Sequence, residues 1–306
     1  MKKTTFPNRI TIELTNRCNA ACTFCHRQDV SMKIGDMEES LYYKIIDEAA
    51  AHLPVAVVLF FRGESLLVDK LVEYIQYAKN KGIGPIQLAS NGMALTNDLA
   101  DRLIESGLDF MSFSLDTMDS QVYKESRKVG DLKVAIDNVV YMGRRCKERR
   151  QRGEKAPELQ VSTIDMDIYR NTQEEFISFW KQHVDTVRVY YEHDNKGRLV
   201  DKSLWDSLLS DNERKPCKKV FNDFIIYWDG RVALCNYDWD EKTDLGDVTK
   251  QSISEIWNSD IFEEIRREHN SGQITGNLMC KECQHWRMSY TKEGFWGKAF
   301  KAEDKG

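Results

Sequence analysis

The chain has 306 residues, of which 41% are hydrophobic and 30% charged, with a formal net charge of −5 and a pI of about 5.8. That balance excludes a disordered chain and a dominant nucleic-acid surface, and the length suits one large domain, alone or with a small appendage. No stretch is apolar for long enough to span a membrane, and the opening MKKTTFPNRITIEL lacks the apolar run of a secretion signal, so a cytoplasmic protein without nucleic-acid or membrane partners is expected.

In chain order, strand and helix patterns alternate. RITIEL (9–14) reads as a first strand that runs straight into a cysteine loop. ESLYYKIIDEAAAHL is an amphipathic helix, followed by VAVVLFF (55–61), an apolar run suited to a buried parallel strand, and then by RGES. Helix DKLVEYIQYAKNKG precedes strand IQLAS, NDLADRLIESG precedes FMSFSLD, a long helix near 133–150 precedes LQVSTID, and TQEEFISFWKQHV precedes TVRVYYEH. About six such units over residues 1–200 predict an α/β fold, a partial (β/α)6 barrel of parallel strands with its chemistry at the C-terminal strand ends. Residues 201–306 read as a small second domain. It comprises the hairpin DFIIYWDGRVALCN turning at DG, one helix SISEIWNSDIFEEIRREHNSG, and a tail, SYTKEGFWGKAF, expected to be a helix covering this domain or the barrel mouth.

Three of the eight cysteines, Cys18, Cys22 and Cys25, fall in the loop after the first strand. A reducing compartment argues against disulfides. A structural zinc wants four protein ligands, and His26, next to Cys25, is awkwardly placed to be the fourth. Three thiolates suit a cubane iron–sulfur cluster with one iron left open.

This CxxxCxxC resembles the signature of radical S-adenosylmethionine (SAM) enzymes, with Phe24 at the aromatic position before the last cysteine. FFRGES resembles the family's GGE element, in which Gly63 and Glu64 would hold the methionyl amino group; Arg62 and Ser65 depart from that pattern. ASNGMAL is similar to the TNG turn, with Ser90 and Asn91, and SFSLD to the fourth strand, with Ser114 and Asp116 near the ribose or orienting Arg127. Arg127 falls where the family places a cation for the SAM carboxylate. The resemblance implies a [4Fe–4S] cluster whose open iron takes SAM, an external one-electron donor such as flavodoxin or ferredoxin, and a 5′-deoxyadenosyl radical that abstracts a substrate hydrogen atom. Each residue also has a plainer reading: Glu64 as a helix N-terminal charge, Arg127 as a surface arginine in a helix start, the serines and Asn91 as strand-end and turn caps.

Cys217, Cys235, Cys280 and Cys283, with the Gly230-to-Cys235 spacing and the IWNS helix, resemble the SPASM/twitch auxiliary-cluster domain. Their separations of 17, 44 and two residues are similar to those of 2-deoxy-scyllo-inosamine dehydrogenase. Four thiols imply a second [4Fe–4S] cluster, fully ligated and suited to electron transfer, with a four-cysteine zinc site as the rival. The eighth cysteine, Cys146, reads as a structural thiol late in a helix. The expected function is therefore oxidation of a small polar substrate such as a sugar or aminocyclitol, with Asp238, Asp240 and Glu192 as candidate bases and His193 as a further rival. Trp205, Trp228, Trp239, Trp286 and Trp296 are candidates for stacking on a sugar ring, or simply for packing. The alternatives are epimerisation, which needs a donor thiol, modification of a peptide, and a non-enzymatic metal scaffold, which leaves the missing fourth ligand of the first site unexplained.

Overall fold

The computed structural model describes residues 1–194, 198–201, 214–241, 243–276, 278–291 and 297–302. The strands are β1 (Arg9–Ile12), β2 (Ala56–Val58), β3 (Ile86–Ser90), β4 (Phe110–Ser114), β5 (Glu158–Asp165), β6 (Thr186–Tyr191), β7 (Asp223–Ile226), β8 (Val232–Ala233) and β9 (Gly297–Lys301). Helices α1 (Glu39–Ala50), α2 (Leu71–Asn80), α3 (Asn97–Glu105), α4 (Ser120–Arg127), α5 (Leu132–Gln151), α6 (Asp167–Arg170) and α7 (Gln173–Trp180) lie between the first six strands. The strands form one open sheet in the order β8-β7-β1-β2-β3-β4-β5-β6-β9. From β7 to β6 every pairing is parallel, and the edge strands β8 and β9 are antiparallel. This is the expected partial barrel.

Side chains alternate across each strand. Ile10, Ile12, Val57, Leu88, Met111, Phe113, Val161 and Val187 enter one continuous core with Tyr42, Ile45 and Ile46 of α1 and Val139 and Met142 of α5. Each such fully buried side chain contributes roughly 1.5–3 kcal/mol. The other face mixes apolar residues such as Val58, Ala89 and Phe110 with polar ones that bond one another: Arg9 donates to Gln87 (3.3 Å) and Gln160 to Ser112 (2.8 Å). A sheet apolar toward its helices and partly polar on the other face suits a barrel whose interior can line a polar site.

Two expectations about the C-terminal part change. Gly297–Lys301 of the tail is a strand pairing with β6, not a helix, because β6 would otherwise present an unpaired edge. The single helix expected from SISEIWNSDIFEEIRREHNSG is two, Ile253–Trp257 and Asp260–Ser271. Ser252 caps the first in a capping box and Ser259 caps the second, so NSD breaks the chain between them. Strands β7 and β8 join the sheet beside β1 while β9 joins beside β6, so residues after 201 complete both edges of the barrel sheet.

Candidate active site

The loop after β1 is held by the Asn16 side chain and by backbone bonds to α4. Buried Asn16 donates to Lys33 O (2.7 Å) and accepts from Gly35 N (2.9 Å), and the amides of Ala21 and Thr23 donate to Arg127 O (3.2 Å) and Ser126 O (2.8 Å) at the end of α4. Cys22 lies within electrostatic reach of both Cys18 and Cys25, so the three thiols share one neighbourhood. Burial pushes all three up, Cys22 to about 11. Such thiols become thiolates when a cationic centre offsets the desolvation, and a ligated cluster does this.

The predicted SAM residues assemble around that loop. Arg127 ends α4 instead of starting a helix, and it is buried, not at the surface. It forms an ion pair with buried Asp116, and its guanidinium stands 5.6 Å from the Phe24 ring centroid and close enough to Cys22 to favour the thiolate. Glu64, also buried, accepts from Asn91 N (2.8 Å) and Leu66 N (3.1 Å). It therefore caps a short turn, as its plainer reading held, while lying within electrostatic reach of both Arg127 and Cys18. Burial raises its pKa, against the hydrogen bonds that lower it. Gly63 has a packing reason: a Cβ there would lie 2.3 Å from Thr15 O and 2.7 Å from Arg17 O. Ser90 accepts from Gly92 N (2.9 Å) as a turn cap, and Asn91 donates to Asn19 (2.7 Å) in the cysteine loop. Ser114 ends β4, half-buried.

Cys217, Cys235, Cys280 and Cys283 line one cavity, together with Tyr237, His285 and Trp286. The amides of Tyr237 and His285 donate to Cys235 Sγ and Cys283 Sγ, each at 3.4 Å, the contact that stabilises a ligating thiolate. Burial pushes Cys283 up to about 11 and raises the other three. Among the described residues no three Cys, His, Asp or Glu are arranged to hold a single metal ion. Four thiols around one cavity are the ligand number of a fully ligated cluster and equally of a tetrahedral zinc.

The candidate bases differ in setting. Asp238 is not a solvated loop charge: it is buried and accepts from Leu234 N (3.1 Å) within its own loop. Asp240 lies 3.8 Å from His26 Nε2. Glu192 follows β6, half-buried, and burial raises its carboxyl above the ordinary range. Burial lowers the pKa of His193, whose ring meets that of Tyr237 at 5.9 Å. Trp286 is buried at the second cysteine site, Trp228 packs over Gly35, and Trp239 packs tilted against Phe61 and edge-on to His26; Trp205 and Trp296 lie outside the described residues.

Sequence reasoning missed one cluster. Glu13 is the penultimate residue of the first predicted strand and Arg62 stands where the SAM motif has glycine; both side chains are 0% exposed, and they pair through Nε at 2.7 Å and Nη2 at 2.8 Å. A glutamate near the end of one apolar strand and an arginine just after the next were the available signal.

A family model of the Radical SAM superfamily matches residues 12–190, and a SPASM model, an iron-sulfur cluster-binding domain, matches residues 217–284. The chain belongs to the radical SAM superfamily and is a radical SAM enzyme with a C-terminal SPASM domain. Membership implies SAM and a [4Fe–4S] cluster, and the second domain implies a further iron–sulfur centre. The chain is 32% identical over 128 residues to a probable GTP 3′,8-cyclase of Methanocaldococcus jannaschii, covering 42% of this chain and 43% of that one. It is 30% identical over 109 residues to a tungsten-containing aldehyde ferredoxin oxidoreductase cofactor-modifying protein of Pyrococcus furiosus, covering 35% and 30%. The matches thus span less than half the length of these curated relatives. Among solved structures, BtrN in complex with AdoMet and 2-DOIA shares the fold at 18% identity and a TM-score of 0.59, over 93% of this chain and 94% of that one. Streptococcus suis SuiB bound to its precursor peptide SuiA does so at 14% identity and 0.68, over 93% and 71%. Among the described residues no helix is long and apolar enough to cross a membrane.

Proposed function

We propose that this chain is a radical SAM oxidoreductase of the dehydrogenase type, acting on a small polar substrate such as a sugar or aminocyclitol. When bound, SAM and the first cluster supply a 5′-deoxyadenosyl radical that removes a substrate hydrogen atom, and a second cluster supplies an acceptor for the electron left behind. We assign residues 1–200 to the first task and 201–306 to the second. Cys18, Cys22 and Cys25 would hold the first cluster, and Cys217, Cys235, Cys280 and Cys283 the second. Arg127, oriented by Asp116, would bind the SAM carboxylate, with Glu64 at the amino group, Phe24 beside the adenine, and Gly63, Ser90, Asn91 and Ser114 shaping the pocket. A proton must leave the substrate heteroatom, and Asp238, Asp240 and Glu192 are the candidates for that role, with His193 as a rival. The reduced state would be reached through an external one-electron donor such as flavodoxin or ferredoxin.

The observation that carries this reading is the place of the eighth cysteine. Seven of the eight line the two candidate sites, and Cys146 is buried beside Asp185, at the opening end of β6 and thus at the opposite strand ends from the three-cysteine loop. No thiol remains near the site to return a hydrogen atom, which favours oxidation over epimerisation. The test is turnover of anaerobically reconstituted protein with aminocyclitols including 2-DOIA, nucleotide sugars, peptides, and GTP, the nucleotide in the relatives' name. An oxidase releases one 5′-deoxyadenosine per product and makes a product two hydrogens lighter, with Cys146→Ala active. A mass-neutral product carrying one solvent deuterium at the abstracted carbon, with Cys146→Ala inactive, would establish epimerisation instead.

A further inference from the structure

Arg62 takes part in neither cysteine site, yet its side chain is wholly buried next to the Gly63–Glu64 segment. Burying a guanidinium is costly unless its donors are met, and here they are met from two directions. On one side Glu13, directly after β1, accepts through both oxygens. On the other, Nη1 donates to Glu241 Oε1 (2.6 Å) and to the Trp239 carbonyl (3.2 Å), both in the loop that follows Cys235. The Tyr227 ring lies under the guanidinium at 4.3 Å, and the Tyr227 hydroxyl donates to the Asp238 carbonyl. Glu241 holds a left-handed backbone (φ 55°), an unfavourable conformation for glutamate, and Arg231 pairs with its second oxygen. The same loop reaches the first cysteine loop: Trp239 packs edge-on to His26 at 5.9 Å, and Asp240 stands 3.8 Å from His26 Nε2.

We propose that Arg62 is a positioning residue that clamps the loop following Cys235 onto the barrel end bearing the three-cysteine loop, holding the two cysteine sites at one fixed separation. The proposal deepens the two-cluster reading and rests on it for its functional meaning. A guanidinium fork can bind Glu13 in bidentate fashion and still reach the loop, which a lysine ammonium cannot do. The arginine that breaks the SAM motif thereby links the SAM segment to the second site.

The test uses anaerobically reconstituted holoprotein and needs no substrate. Amide exchange over residues 236–241 should quicken about tenfold or more in Arg62→Met and Glu241→Gln, with a smaller rise in Arg62→Lys. The Ala21 and Thr23 amides, which bond α4, should be unchanged in Glu241→Gln. Because Arg62→Met strands Glu13 in the interior, Glu241→Gln carries the test if the arginine variant does not fold. Pulsed electron paramagnetic resonance of the reduced protein should give one narrow cluster–cluster distance in wild type and a broad distribution in Glu241→Gln. Unchanged exchange over 236–241 together with an unchanged distance distribution, even with a lowered melting temperature, would reduce Arg62 to a core residue and overturn the proposal. A wild-type protein without a second paramagnetic cluster would instead sink the two-cluster reading, while the exchange measurement still decides the clamp.

Discussion

Arg127 and Asp116 meet as an ion pair deep in the protein, their side chains only 5% and 3% exposed, and Asp116 reaches the arginine from a left-handed backbone conformation (φ 69°). The pair joins the end of β4 to the end of α4, and it presents a cation beside Phe24 and Cys22.

This geometry makes Arg127→Ala a poor probe, since it leaves Asp116 buried without its partner at a cost of about 3–5 kcal/mol. Arg127→Lys keeps the charge and removes the fork. It should weaken SAM binding by about tenfold or more, roughly one lost charge-assisted bond, while iron content stays at the wild-type level. Equilibrium binding with anaerobic protein checks this, and an unchanged affinity would move the SAM site elsewhere.

Metal analysis separates the two sites. Full reconstitution should give about eight iron and eight sulfide per chain, and replacing Cys18, Cys22 and Cys25 together by alanine should leave about four of each. The converse variant at Cys217, Cys235, Cys280 and Cys283 should also leave about four. Stoichiometric zinc in the first variant would revive the tetrahedral reading.

Gly63→Ala should act on the first site alone. The added methyl would meet the backbone of Thr15, Asn16 and Arg17, which cannot turn aside as a side chain would. Displacing the cysteine loop should cost roughly 1–3 kcal/mol, as overpacking does, and lower iron at the first site with the second intact. Iron quantitation with chemical denaturation measures both, and wild-type values for both would show that the loop yields.

Stability should also depend on pH through His183. Its ring packs on Phe179 at 4.6 Å, and burial, aided by Lys147, lowers its pKa below the ordinary value of 6.5. A histidine whose folded pKa is depressed contributes stability above its unfolded pKa and loses it as pH falls through 6.5 toward the folded value. Between pH about 7.5 and about 5.5 the wild type should therefore lose more stability than His183→Gln. Parallel urea titrations decide it, and equal losses would show that His183 is not desolvated in solution.

The alternation of strands with their longer helices through residue 191 was legible because each of those elements carries its own period and its own turn signals within a dozen residues, while the short helices α4 and α6 went unread. The tail was misread for the opposite reason. Gly297–Lys301 has no strand pattern independent of its partner, and β6 supplies the register from more than a hundred residues away.

Ligand types and spacing are local facts, so the sequence by itself determined the three-thiol loop, the four-thiol set and the radical SAM resemblance. Glycine at 63 and acid at 64 belong to the same class, being demands of one short segment. Which charges pair across the barrel was decided only by the tertiary structure. Arg62 stands 49 residues from Glu13 and 179 from Glu241, and no local pattern links residues that far apart. Burial decides the rest: the sequence shows an arginine at 62 and another at 127, and only folding takes both out of water, where each must find its carboxylate or destabilise the chain.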